Sequence, residues 1–171
     1  MKPRHLIVPV LAATAVAAFV LILLGYNWGY LGGPIKHRHD LFSAIWRDDT
    51  NQVAKLVGLA DVNEPSDQLG HPTPLIDAVK FGHLMIVKIL LERGADPNKT
   101  DTGGHSPLFY ALQDTPFLDP KDSNSPEICR MLIKHGANLG NFGISNAVKN
   151  LNSDDPRLQI YREAVTQQSS R

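Results

Sequence analysis

Thr73-Pro74-Leu75-Ile76-Asp77-Ala78 and Ser106-Pro107-Leu108-Phe109-Tyr110-Ala111 are one hexad written twice, with the two prolines 33 residues apart. A second block also recurs. Leu90-Leu91-Glu92-Arg93-Gly94-Ala95-Asp96-Pro97-Asn98 returns as Leu132-Ile133-Lys134-His135-Gly136-Ala137-Asn138, with the glycines 42 residues apart. A fixed spacing between such blocks signals a repeat architecture. The mismatch between the two spacings places an insertion of nine residues between the blocks. It falls within 115–125, a stretch rich in Pro, Asp and Ser and so of loop composition.

Local physics accounts for each unit. Thr73 or Ser106 offers an N-cap oxygen, and the proline after it sits where a missing N–H costs nothing. Leu75, Ala78 and Val79 recur at helical spacing, and the small Ala78 and Ala111 let a second helix approach. Gly82-His83 turns the chain, residues 85–91 form a second apolar helix, and Gly94 ends it in the left-handed conformation. Ser125-Pro126 and Asp155-Pro156 repeat the cap-then-proline start.

Two short antiparallel helices and a turn about every 33 residues resemble ankyrin repeats. Residues 69–101 resemble a near-complete unit and 102–139 one that carries the insertion. Residues 40–68 resemble a degenerate first unit and 140–165 a closing one. The resemblance implies an all-α solenoid of about four helix-turn-helix units over residues 40–165, followed by a flexible tail at 166–171. Two departures stand out. Ile76 and Phe109 occupy places where the family usually has histidine, so apolar packing is expected in place of a hydrogen-bonded brace. The first unit also lacks a glycine before Ala60, so its closing turn should be tighter or irregular.

Ahead of the repeats, residues 6–24 are free of charge, and Thr14 is their most polar member. As a helix they would extend roughly 28 Å, close to the thickness of a bilayer core. Tyr26, Trp28 and Tyr30 follow as an interfacial belt, so residues 1–31 read as a transmembrane signal anchor and 32–39 as a linker. A cleaved signal peptide is the rival reading, through Ala13-Thr14-Ala15 or Ala15-Val16-Ala17, but cleavage there would leave an apolar hexad exposed at 19–24. Lys2 and Arg4 nearly balance Lys36 and Arg38 across the span. The short basic N-terminus favours a domain outside the cytoplasm, periplasmic in a bacterial protein. His37 and His39 lack a nearby third ligand and read as a basic collar at the membrane surface rather than a metal pair.

The chain is 43% hydrophobic and 20% charged with a net charge of zero, the composition of a folded protein without a basic stripe, so no nucleic-acid partner is expected. Cys129 is the one cysteine and is read as a buried core residue. Repeat register assigns most of the seven histidines. His83 follows the inter-helix glycine, His135 sits at a helix end, and His71 and His105 follow hairpin glycines. Thr102-Gly103-Gly104 lacks the lysine of a phosphate loop, and Gly143-Ile144-Ser145 lacks the rest of a nucleophile elbow. No nucleophile, base and orienter converge, so neither an enzyme nor a cofactor nor a small-molecule substrate is expected.

What remains is a surface. Matched register puts Trp46-Arg47, Lys80-Phe81 and Gln113-Asp114 in one row on the concave side, with Thr102 and His105 on a hairpin extending it. Trp and Arg are common anchors of protein interfaces, although Trp46 and Phe81 could equally cover the core of a short array. Phe117 and Leu118 in the insertion form a second candidate surface or part of a tolerated loop. The expectation is a membrane-tethered module that binds a partner protein. The alternatives are an immunity-type inhibitor, an accessory stabiliser of a periplasmic enzyme and, more remotely, a metal-dependent enzyme.

Overall fold

A computed structural model describes residues 34–113 and 125–170. The expected anchor, the aromatic belt, Asp114 of the expected row and most of the inserted loop, including Phe117 and Leu118, lie outside the described residues. Eight helices are described. They pair as α1 (Pro34–Trp46) with α2 (Thr50–Leu56), α3 (Pro74–Lys80) with α4 (Leu84–Glu92), α5 (Pro107–Ala111) with α6 (Ser125–Lys134), and α7 (Ile144–Lys149) with α8 (Pro156–Ser169). The first helices α1, α3, α5 and α7 stack on one another, and the second helices α2, α4, α6 and α8 form a parallel layer behind them. The core lies between the layers and runs the length of the stack. Leu41, Ile45, Val53, Ile76, Ile86, Leu90, Leu108, Ile128, Leu132 and Ile144 are all fully enclosed in it.

The helix starts follow from the expected chemistry. Thr73 Oγ1 accepts from the Ile76 amide at 3.2 Å, and Ser106 Oγ accepts from the Phe109 amide at 3.4 Å. Asp155 caps α8 through the Arg157 amide at 2.8 Å, and Asp49 caps α2 through Gln52 at 2.9 Å. The missing family histidines are replaced by packing. Ile76 is fully buried, and Phe109 is buried with its ring stacked on His105 at 4.1 Å between centroids.

The tighter closure expected in the first unit is present. After α4 and α6, glycines with φ of +85° and +90° let Ala95 and Ala137 reach back five residues to the Leu90 and Leu132 carbonyls. After α2, Ala60 reaches back only four, to Leu56, with no positive φ in the turn. The turn between α1 and α2 is unusual in another way. Asp48 holds the left-handed conformation (φ +54°) that Gly82 holds (φ +67°) between α3 and α4.

Two boundaries differ from expectation. The supposed linker is helical from Pro34 onward, because Pro34 opens α1 and no later glycine interrupts it. Its basic collar is only partly hydrated, His39 being exposed while Arg38 between the two histidines is not. Arg38 is largely buried and binds Glu64 at 2.7 Å and also Asp67, pinning α1 to the first hairpin. The tail expected to be flexible continues α8 to Ser169. No Gly or Pro stops the helix, and Thr166 and Ser169 hydroxyls donate to carbonyls four residues back at 2.9 and 3.0 Å.

Asparagines join consecutive units from side to side. Asn63 donates to the Gly94 carbonyl (3.1 Å) and accepts from the Asp96 amide (2.7 Å). One repeat later Asn98 does the same with Gly136 (3.0 Å) and Asn138 (2.7 Å). The next position in register is Gly140, which has no side chain to continue the ladder. The closing unit is held differently, by Tyr161 donating to the Leu139 carbonyl at 3.2 Å and by α8 packing on α6.

Candidate functional site

The faces of the first helices and the hairpins before them carry the residues singled out from the sequence. Trp46 ends α1 and is 46% exposed; Lys80 ends α3; Gln113 follows α5 and is half-buried. Arg47 is exposed, whereas Phe81 is half-buried against His83, with ring centroids 5.8 Å apart. Thr102 is exposed on the second hairpin, and its amide donates to the Gly70 carbonyl of the first at 3.0 Å. His105 is half-buried at that hairpin's base.

The row is a set of diagonal pairs rather than a line of isolated side chains. Trp46 Nε1 donates to Asp77 Oδ2 of the next repeat at 3.2 Å. Lys80 lies over the Tyr110 ring of the following repeat, with Nζ 5.5 Å from its centroid. Tyr110 in turn donates its hydroxyl to Asp101 Oδ2 at 2.6 Å. Asp101 is the hub of its hairpin. Its Oδ1 accepts the amides of Gly103 and His105, both at 2.9 Å, and lies 3.5 Å from His105 Nδ1.

Sequence reading missed Asp77 and Tyr110, although a usable signal was present. Asp77 lies three residues before Lys80 on α3, a spacing that puts the pair on one face, and Tyr110 lies three residues before Gln113, which follows α5. It also missed Leu69 and Phe142, which project from the first and third hairpins, Phe142 being 71% exposed. Phe142 lies 5.8 Å from the His105 ring.

The electrostatics divide the two carboxylates. Burial pushes the Asp77 carboxyl above the ordinary range, and the Trp46 hydrogen bond and the charge of Lys80 only partly offset this. Burial acts on Asp101 too, but the Tyr110 hydroxyl, the His105 amide and ring and the Gly103 amide outweigh it and hold that carboxyl below the ordinary range. Tyr110 is raised, by burial first and then by its bond to Asp101. Both aromatic donors are therefore engaged with carboxylates inside the protein, Trp46 staying about half exposed and Tyr110 half-buried beneath Lys80.

The histidines have individual surroundings. His83 Nδ1 lies 3.3 Å from Asp48 Oδ1, and His71 Nδ1 is 2.9 Å from the Ser66 carbonyl. Among the described residues no three His, Cys, Asp or Glu side chains are placed to share a metal ion. Among those same residues no helix is long and apolar enough to cross a membrane.

Comparison with known proteins agrees with this architecture. Residues 41–143 match the family described as ankyrin repeats, in 3 copies. The chain is 36% identical over 72 residues to the human Arf-GAP with coiled-coil, ANK repeat and PH domain-containing protein 2, a match covering 42% of this chain and 9% of that protein. It is 38% identical over 72 residues to the mouse 2-5A-dependent ribonuclease, covering 42% of this chain and 10% of the relative. With an ankyrin repeat-containing protein of Schizosaccharomyces pombe it shares 48% identity over 44 residues, covering 26% and 21% of the two chains. The match thus spans only about a tenth to a fifth of the length of these relatives, and it falls on the repeats. A family match over more than half the chain, the recurring Thr/Ser-Pro-Leu caps and the stacked helix pairs have one meaning: this chain belongs to the ankyrin-repeat family.

Proposed function

We propose that this protein is a membrane-tethered interaction module that grips a partner protein on its first-helix face and hairpin tips. Ankyrin repeats imply protein partners in general, and the diagonal strip from Trp46 to Tyr110 is the observation that carries the reading to a particular face. Its side chains are held in place from below by Asp77 and Asp101, so little conformational freedom remains to be lost on binding. An exposed tryptophan at one end and Leu69 and Phe142 at the hairpin tips supply apolar contact area of the kind that anchors interfaces.

The apolar run at 6–24 supports the tether, because cleavage within it would strand a hydrophobic hexad on the mature chain. The charge arrangement around it supports an extracytoplasmic, periplasmic domain of a bacterial envelope protein. In this reading binding rather than catalysis is the activity, and no cofactor takes part.

The test is affinity capture from native membranes with the full-length protein, comparing wild type with a Trp46→Ala/Lys80→Ala variant. Both residues sit at helix ends on the surface, so folding should be kept, as circular dichroism would confirm. The reading predicts that a specific partner is recovered with wild type and lost with the variant. Equal recovery by both would show that this face is not the binding surface.

A further inference from the structure

The charges of the stack are sorted by layer, and the sorting identifies the chemistry of the partner. Through the first three repeats, the first helices with their turns and hairpins (residues 38–49, 61–80 and 96–110) carry nine acidic and four basic side chains, histidines apart. The second helices of the same three repeats with their closing turns (50–60, 84–95 and 125–138) carry five basic and two acidic ones. The face with the exposed rings is thus the negative one, in a chain whose net charge is zero. A partner's charges meet such a surface by complementarity, which selects the approaching partner as well as its register.

Within that face the strip is under-supplied with positive charge. Asp77 is 3% exposed and its side chain accepts from the Trp46 indole, while Asp101 is held ionised by its hairpin. Lys80 is the one cation of the first helices between them, spread over the Tyr110 ring. Lys80 already covers the Tyr110 ring, whereas Trp46, its indole N–H engaged with Asp77, remains 46% exposed. An aromatic face backed by negative charge attracts a cationic side chain.

Resting on the binding reading above, we infer that the partner docks through a basic segment, with a lysine or arginine laid on the face of Trp46 near Asp77 and apolar neighbours reaching Leu69 or Phe142. A segment rich in Asp or Glu is excluded from this face by like-charge repulsion, and the second-helix layer, with the opposite balance, is not where it binds.

The experiment is a selection of random heptapeptides displayed on phage against the full-length protein in zwitterionic nanodiscs, with empty nanodiscs used to remove lipid binders. The expected result is enrichment of peptides that combine Lys or Arg with apolar residues. A selected peptide, made synthetically, should weaken about tenfold with Trp46→Ala and several-fold with Asp77→Asn. It should be unmoved by Glu92→Gln on the second-helix layer and should weaken steeply as salt is raised. Asp77→Asn keeps the shape and an acceptor for the indole, so its loss reads charge rather than folding. Enrichment of acidic or uncharged peptides that still require Trp46 would overturn the inference while leaving the binding face intact. Peptides indifferent to Trp46, or none enriched, would overturn both.

Discussion

Gly143 and Gly94 show how differently one residue type is constrained in this stack. Both have positive φ, +80° and +85°. A Cβ on Gly94 would meet nothing within 4 Å, whereas one on Gly143 would stand 2.6 Å from Cε2 of Phe109. Gly94→Ala should therefore cost only the left-handed strain, about 1 kcal/mol. Gly143→Ala adds overpacking against a buried ring and should cost about 3 kcal/mol in all. Urea unfolding of the two variants side by side checks the ranking. Asp77 carries a prediction of opposite sign. Its folded carboxyl titrates above the unfolded value, so stability is greatest below the ordinary carboxylate range and is lost as pH rises through the raised value. Asp77→Asn should melt higher than wild type at pH 7, with the advantage shrinking on acidification, although it weakens binding. A lower melting temperature at pH 7 would mean that the ionised carboxylate stabilises the fold.

At the scale of elements, much was legible because caps and closures are local. Thr73-Pro74, Ser106-Pro107 and Asp155-Pro156 open helices through side-chain oxygens, and Gly94 and Gly136 close them in the left-handed region. The start of α1 and the end of α8 were missed for a tertiary and a local reason respectively. Arg38 is fixed by Glu64 and Asp67, 26 and 29 residues away, which no local pattern announces. The hydroxyls of Thr166 and Ser169 support a last helical turn whose polar composition reads as a tail. The diagonal pairs were half legible: register gave Trp46, Lys80 and Gln113, but their partners Asp77 and Tyr110 needed the offset between neighbouring repeats. The asparagine ladder makes a quantitative claim. Asn98→Ala removes two inter-repeat hydrogen bonds and should cost about 1–2 kcal/mol. Because it acts at a junction, the unfolding transition should also broaden as the third and fourth units begin to melt apart from the first two. A loss of stability with unchanged sharpness would mean that the ladder does not couple the units. Cys129 reports on the closing end. Burial pushes its thiol up to about 12, so iodoacetamide at pH 8 should react only as fast as α6 and α8 open. Immediate labelling of native protein would show that α8 does not seal this end.

Over the whole molecule, four units bury one continuous core, and the array polarises across its thickness. Rings and acids line the first-helix side, and cations line the second-helix layer. The fold class was readable from the sequence because every unit repeats its signals. The sidedness of charge was not, because it emerges only when residues distant in sequence are assigned to layers. The tether proposed at 6–24 would hold this two-sided body near a bilayer, leaving partner choice to the face that turns toward the partner. The most direct measurement of the central claim is site-specific photocrosslinking in native membranes, with benzophenone-alanine replacing Lys80 on the first-helix side or Lys88 on the second-helix side of the full-length protein. The account predicts a discrete protein adduct from position 80 and none from position 88. An adduct from position 88 alone, or equal adducts from both, would contradict it.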